Sequence, residues 1–166
     1  ETGAVGAALF YPDNTIQHAG VVLGMTGIAG HTLRHTPKGK LGYGFRMATI
    51  RNLSCVTGAC LMIKRKTFDE VNGFDENLAI AFNDIDLCLK VRESGYSVVW
   101  TPHAEYTHFE SKTRGPEDTP EKISRFQREI NYFKSKWNKQ LMAGDEFYSP
   151  NLDPETETPS IRTTKK

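Results

Sequence analysis

The chain has 166 residues, 38% of them hydrophobic and 25% charged, the composition of one folded domain and not of a disordered segment. A formal net charge of +1 provides no field of the kind that gathers nucleic acid, so no nucleic-acid partner is expected. No apolar run reaches the roughly 18–20 residues that cross a bilayer, and no basic stretch followed by an apolar core opens the sequence. Cys55, Cys60 and Cys88 are odd in number and sit in apolar segments, which suits buried free thiols in a reducing compartment better than a disulfide framework.

Taken in chain order, Gly3 to Phe10 reads as a buried strand that starts almost at residue 1; the expectation is a chain beginning inside a larger domain. Pro12-Asp13-Asn14 supplies turn chemistry, and Thr15–Leu23 returns as an extended run, either a hairpin partner or a short edge piece. From Gly20 to Gly44 the chain carries seven glycines among His31, Arg34, His35, Lys38 and Lys40, the pattern of a long basic irregular loop. Cys55 to Ile63 has strand character, broken at Gly58 by a bulge or a close backbone approach. Lys66–Val71 predicts a short helix stopped by Asn72-Gly73. Asn83 or Asp84 caps the next helix, whose apolar positions are Ile85, Leu87, Cys88, Leu89 and Val91, with Ser94-Gly95 at its end. Tyr96–Thr101 is a strand, Pro102 interrupts it, and Ala104–Phe109 is a second short strand. Thr119-Pro120-Glu121 opens a long helix whose stripe is Ile123, Phe126, Ile130, Phe133 and Trp137. After Met142 the chain is polar, and residues 151–166 are expected to form a flexible tail. Strands alternating with helices predict an α/β or α+β domain over residues 1–150.

Chemistry concentrates at three places. Asp84 lies at a helix start, where unpaired N–H groups and the helix dipole favour an anion; it is either a plain cap or a working carboxylate. Asp86 stands two residues on and faces another side of the helix, so Asp84-Ile85-Asp86 is not read as a bidentate metal motif. His108, near the end of a strand where open α/β sheets place ligands, is either a metal or phosphate contact or a hydrogen-bonded structural residue. Lys112 and Arg114, beside Gly115, suit a pyrophosphate or are ordinary solvated charge.

Several segments together resemble one known family. These are Val56-Thr57-Gly58-Ala59-Cys60-Leu61-Met62-Ile63-Lys64-Arg65, Phe68 through Glu76, Asn83 through Cys88, Gly95-Tyr96 and His108, with Tyr11 through Gly20 upstream. In this order they are similar to the acceptor half of family 2 glycosyltransferases of the GT-A fold, in bacterial members that make polysaccharides. The resemblance covers roughly residues 4–150. It implies an α/β fold, a partial GT-A mixed sheet of the nucleotide-diphospho-sugar transferase type with flanking helices and a long C-terminal helix. It implies that Asp84 is the general base of an inverting sugar transfer, with Asn83 in place of the usual glutamate. Thr57 and Gly58 become part of the acceptor wall, and His108 a ligand to a divalent metal, Mn or Mg. Asn83, Lys112 and Arg114 join the substrate-binding set, and Trp100 either stacks on a sugar or packs in the core.

The implied partners are a nucleotide-diphosphate sugar donor, a glycan or lipid-linked acceptor, and the remainder of a parent polypeptide carrying the nucleotide pocket and its DxD. The expected location is the cytoplasm, at the inner face of the cell membrane through peripheral association. The alternative is a non-catalytic carbohydrate-binding or scaffold module derived from such an enzyme.

Overall fold

The computed structural model of the protein describes residues 1–110 and 118–163. Strand β1 (Thr2–Phe10) is built from small apolar residues because it is covered on both faces; Ala4, Ala7, Ala8, Leu9 and Phe10 are all buried. Gly6 is required by a close approach: a Cβ there would stand 2.5 Å from the Val56 Cβ. The Pro12–Asn14 turn closes with Tyr11 N–H donating to the Thr15 carbonyl at 2.8 Å. It returns the chain as β2 (Ile16–His18), antiparallel to β1, so the hairpin expectation holds.

The stretch expected as an irregular loop contains a second, two-stranded sheet of β3 (Val21–Leu23) and β4 (Ala29–His31). Its glycines permit the tight return at residues 24–28: Gly24 and Gly27 both hold positive φ. β5 (Arg51–Leu53) has no clear signature in the sequence. Cys55–Ile63 is not one strand. The Thr57 hydroxyl accepts from Ala59 N–H at 3.3 Å and turns Gly58–Cys60 into a 3-10 turn, after which β6 (Leu61–Ile63) begins. The short helix is α1 (Arg65–Glu70), and α2 (Asn83–Glu93) buries Ile85, Leu87, Cys88, Leu89 and Val91 as the pattern predicted.

β7 (Ser97–Thr107) is a single strand and not two. Its register against β1 jumps from Thr101 opposite Ala7 to Glu105 opposite Ala8, so Pro102, His103 and Ala104 bulge out of the ladder. A bulge is where a strand tolerates proline, which has no N–H to give. β1 is central: β7 runs parallel along one edge, β6 and β2 antiparallel along the other, and β5 lies antiparallel outside β7.

Helix α3 (Pro120–Lys136) starts as predicted, with Thr119 capping Lys122 N–H and Pro120 in the first turn; α4 (Asn138–Ala143) follows. The predicted stripe is buried only in its second half. Phe133 and Trp137 are buried, whereas Ile123 is 55% and Phe126 41% exposed. Part of the segment expected as a tail is hydrogen-bonded to the body. Thr26 N–H donates to the Pro154 carbonyl at 3.1 Å and Leu33 N–H to Glu157 at 2.7 Å, and Leu152 packs with Val22, Met25 and Tyr148. Among the described residues no helix is long and apolar enough to cross a membrane.

Candidate functional site

The site grows from the start of α2. Phe82 occupies the cap position with φ of 63°, a left-handed conformation costly for a bulky residue. It is held there by packing: its ring lies 5.8 Å from that of Phe126 and 5.3 Å from that of Phe133. Glu129 of α3 fastens the same loop, its carboxylate accepting from Ile80 N–H (3.2 Å) and Ala81 N–H (3.0 Å). Asn83 then begins the helix, half-buried, and neither it nor Asp84 is the cap.

Asp84 is instead a presented carboxylate. Its Oδ1 accepts from Ile85 N–H at 2.9 Å and its Oδ2 from Gly58 N–H at 2.8 Å across the chain. These two backbone donors, from two different segments, fix the direction of the carboxylate. Asp86 faces elsewhere, as expected from its spacing. It is fully buried, accepting from the Trp137 indole at 2.8 Å, with Lys136 at 2.7 Å and Lys90 at 3.3 Å. The two carboxylates do not meet at one ion.

A cleft of about 110 Å³ lies against the segment that holds Asp84, although the Asp84 side chain is not in its lining. Thr57 and Ala59 line it, flanking the Gly58 N–H that holds Asp84, so this short segment is a wall shared by carboxylate and cleft. His108 also lines the cleft. Its backbone N–H continues the β1 ladder at Phe10 (3.0 Å), and its Nδ1 lies 2.8 Å from the Gln17 side-chain oxygen, which orients the ring. Tyr11 and Arg34 complete the rim, with Arg34 Nη2 donating to the Tyr11 hydroxyl at 2.6 Å and Nη1 to Glu157 at 3.0 Å; Glu110 stands 4.0 Å from Arg34.

Two further histidines stand behind this wall. Thr57 N–H donates to His18 Nε2 at 3.4 Å, and His18 Nδ1 lies 3.0 Å from His31 Nδ1. His18 is fully buried, and burial first, then His31 and Arg51, push its pKa well below the ordinary 6.5. His31 reaches the cleft. Burial and Arg34 lower its pKa, with Asp84, Glu110 and Glu157 pulling the other way. Tyr11, Gln17 and His18 belong to the upstream segment that carries the resemblance, but the sequence gives them no role at a site. The available signal was a cluster of hydrogen-bonding side chains within an extended run and a glycine-rich stretch, which has no periodicity.

Of the residues expected at a site, Asp84 meets Gly58, Thr57 and His108 both line the cleft, and Asn83 precedes Asp84 at the start of α2. Trp100 is a correction. It is completely buried, its indole N–H donating to the Ala7 carbonyl at 3.1 Å and Arg51 lying 4.8 Å from its ring, so it offers no face to a ligand. Lys112 and Arg114 lie outside the described residues. Among the described residues no three His, Cys, Asp or Glu side chains are grouped to hold a metal. His108 is therefore not part of a ready-made ligand set among the described residues.

A mixed sheet with helices against it, and a carboxylate presented at a helix start, fits a partial fold of the GT-A type. No family model and no solved structure matches the chain. Over 151 residues, 90% of its length, it is 55% identical to the uncharacterized protein y4gI of Sinorhizobium fredii, of which it spans 16%. Over 156 residues, 92% of its length, it is 40% identical to the O-antigen biosynthesis protein RfbC of Myxococcus xanthus, of which it spans 12%. A shorter stretch of 65 residues, 39% of the chain, is 32% identical to an N-acetylglucosaminyl-diphospho-decaprenol L-rhamnosyltransferase of Mycobacterium tuberculosis, covering 21% of that protein. The names of the last two support a glycosyltransferase-like family.

Proposed function

We propose that the chain is the acceptor-side part of a nucleotide-sugar-dependent glycosyltransferase in polysaccharide biosynthesis, with Asp84 as its general base. The observation that carries this reading is the Asp84 carboxylate, fixed at a helix start by Ile85 N–H and by the N–H of Gly58, whose neighbours Thr57 and Ala59 line a cleft. An acceptor hydroxyl against that wall gives its proton to a free lone pair of Asp84. Its oxygen bonds to the anomeric carbon from the side opposite the nucleoside diphosphate, which departs with the electrons of the broken bond, so the configuration inverts. Because the carboxylate is already oriented, little reorganisation accompanies the proton transfer. Thr57, Gly58 and Asn83 border the acceptor, while Lys112 and Arg114 belong to the diphosphate side.

Relatives with names of sugar transfer and O-antigen biosynthesis support a glycan or lipid-linked acceptor and a hexosyl or deoxyhexosyl donor. In this reading His108 gives one ligand to a Mn or Mg ion whose other ligands come from the rest of a longer polypeptide, working at the cytoplasmic face of a membrane.

The test uses the longer protein. Asp84→Asn is expected to lower turnover by about 10²–10⁴-fold, the range of a lost general base, with the circular dichroism spectrum unchanged. Near-normal turnover removes Asp84 from the role. Sugar binding without turnover in the natural sequence favours the non-catalytic module. His108→Ala is expected to shift the metal titration to higher concentration; an unmoved titration leaves His108 as a holder of Gln17.

A further inference from the structure

The mechanism above leaves the histidine pair unused. His18 Nε2 faces Thr57 N–H at 3.4 Å, and a backbone N–H only donates, so that nitrogen carries no proton. In a neutral imidazole the proton then sits on His18 Nδ1, which faces His31 Nδ1 at 3.0 Å. His31 Nδ1 must accept, which puts the His31 proton on Nε2. The reverse arrangement would place a His18 proton on Nε2 against Thr57 N–H, two donors face to face in the core. A second proton on either ring produces the same collision. One arrangement alone satisfies all three groups, and the burial of His18 makes the others costly.

We propose that His31 is a ligand-binding residue of the cleft, its Nε2–H donating to a hydroxyl oxygen of a bound sugar, with His18 as the positioning residue that fixes this donor. This rests on the reading of the cleft as a sugar site. The lining favours a hydroxyl over an anion. Among the described residues that line it, the one Lys or Arg, Arg34, is already shared between Tyr11 and Glu157, and Glu110 stands 4.0 Å from it. An incoming anion would meet the Glu110 carboxylate. A hydroxyl, which both donates and accepts, matches a wall that mixes His31, Gln17, Thr57 and Glu110.

The experiment takes the full chain with nitrogen-15-labelled histidine and adds methyl glycosides of glucose, mannose, galactose and rhamnose. At neutral pH the nitrogen shifts are expected to show His18 protonated on Nδ1 and His31 on Nε2, with a coupling through the hydrogen bond between the two Nδ1 atoms. At least one glycoside is expected to move the His31 Nε2 resonance. His31→Phe should weaken that binding about tenfold, the value of one neutral hydrogen bond, and His31→Gln should restore most of it. A His31 proton on Nδ1 overturns the proposal. So does glycoside binding unchanged in His31→Phe, or a panel that moves no cleft resonance. Turnover in Asp84→Asn is read separately, so failure of the base assignment and failure of this inference are distinguishable.

Discussion

Gly58 couples the acceptor wall to the carboxylate at the residue scale. Its N–H holds Asp84, and a Cβ added there would lie 3.2 Å from the Asp84 Cβ, so the carboxylate would have to yield by a few tenths of an ångström. Gly58→Ala is therefore expected to cost about 1 kcal/mol of stability, as overpacking does, while turnover of the longer protein falls about tenfold through misplacement of the base. Denaturant melts and steady-state kinetics on one variant check both; an unaffected rate would mean that Asp84 does not depend on this contact. Asp84 and Gly58 were legible because each is a marked residue type at a local boundary, a carboxylate at a helix start and a glycine in an apolar run. The direction in which the carboxylate points was not legible, since it is set by a backbone donor 26 positions away in sequence.

α3 acts as a clamp at the scale of elements. From its second half Glu129 holds residues 80–81, Phe133 packs on Phe82, and Lys136 bridges Asp75 and Asp86 at 2.7 Å each, with Trp137 closing over Asp86. These contacts fix the left-handed turn that aims α2. Phe133→Ala is expected to cost about 3–5 kcal/mol, whereas Ile123→Ser in the exposed first half stays within about 0.5 kcal/mol. Urea unfolding of the pair checks this; equal losses would show that the whole stripe is covered. The helix and its period were readable from spacing alone. Which half is covered was not, because spacing describes a face and not what lies against it.

For the molecule as a whole, the polar groups beneath the fold give stability a pH dependence of defined sign. His18 and His31 have native pKa values below the ordinary 6.5, so both are neutral in either state well above it. As pH falls through that value the unfolded chain takes protons the native chain refuses, and stability declines. Asp75 follows at lower pH. Burial would raise its carboxyl, but hydrogen bonds from Lys136, Tyr132 and Asn77 outweigh burial and hold it well below the ordinary 3.8. That contribution is present above 3.8 and is lost as pH drops toward the native value. Urea midpoints are expected to fall between neutral pH and about pH 5.5, where a free histidine charges. A flat profile would mean that the pair takes protons freely inside the fold.

The sequence by itself determined the elements whose signals are local: the β1–β2 hairpin around its turn, the buried face of α2, the capped start of α3, and the free thiols Cys55 and Cys88 in the core. Each depends on hydrophobic period, turn chemistry or capping within about a dozen residues. Only the tertiary structure decided that Trp100 is core, that Pro102 sits in a bulge, and that His18, His31, Gln17 and Thr57 share one wall. Hydrogen bonds between segments 13 to 91 residues apart depend on how strands register in space, and nothing in the local order of side chains encodes that.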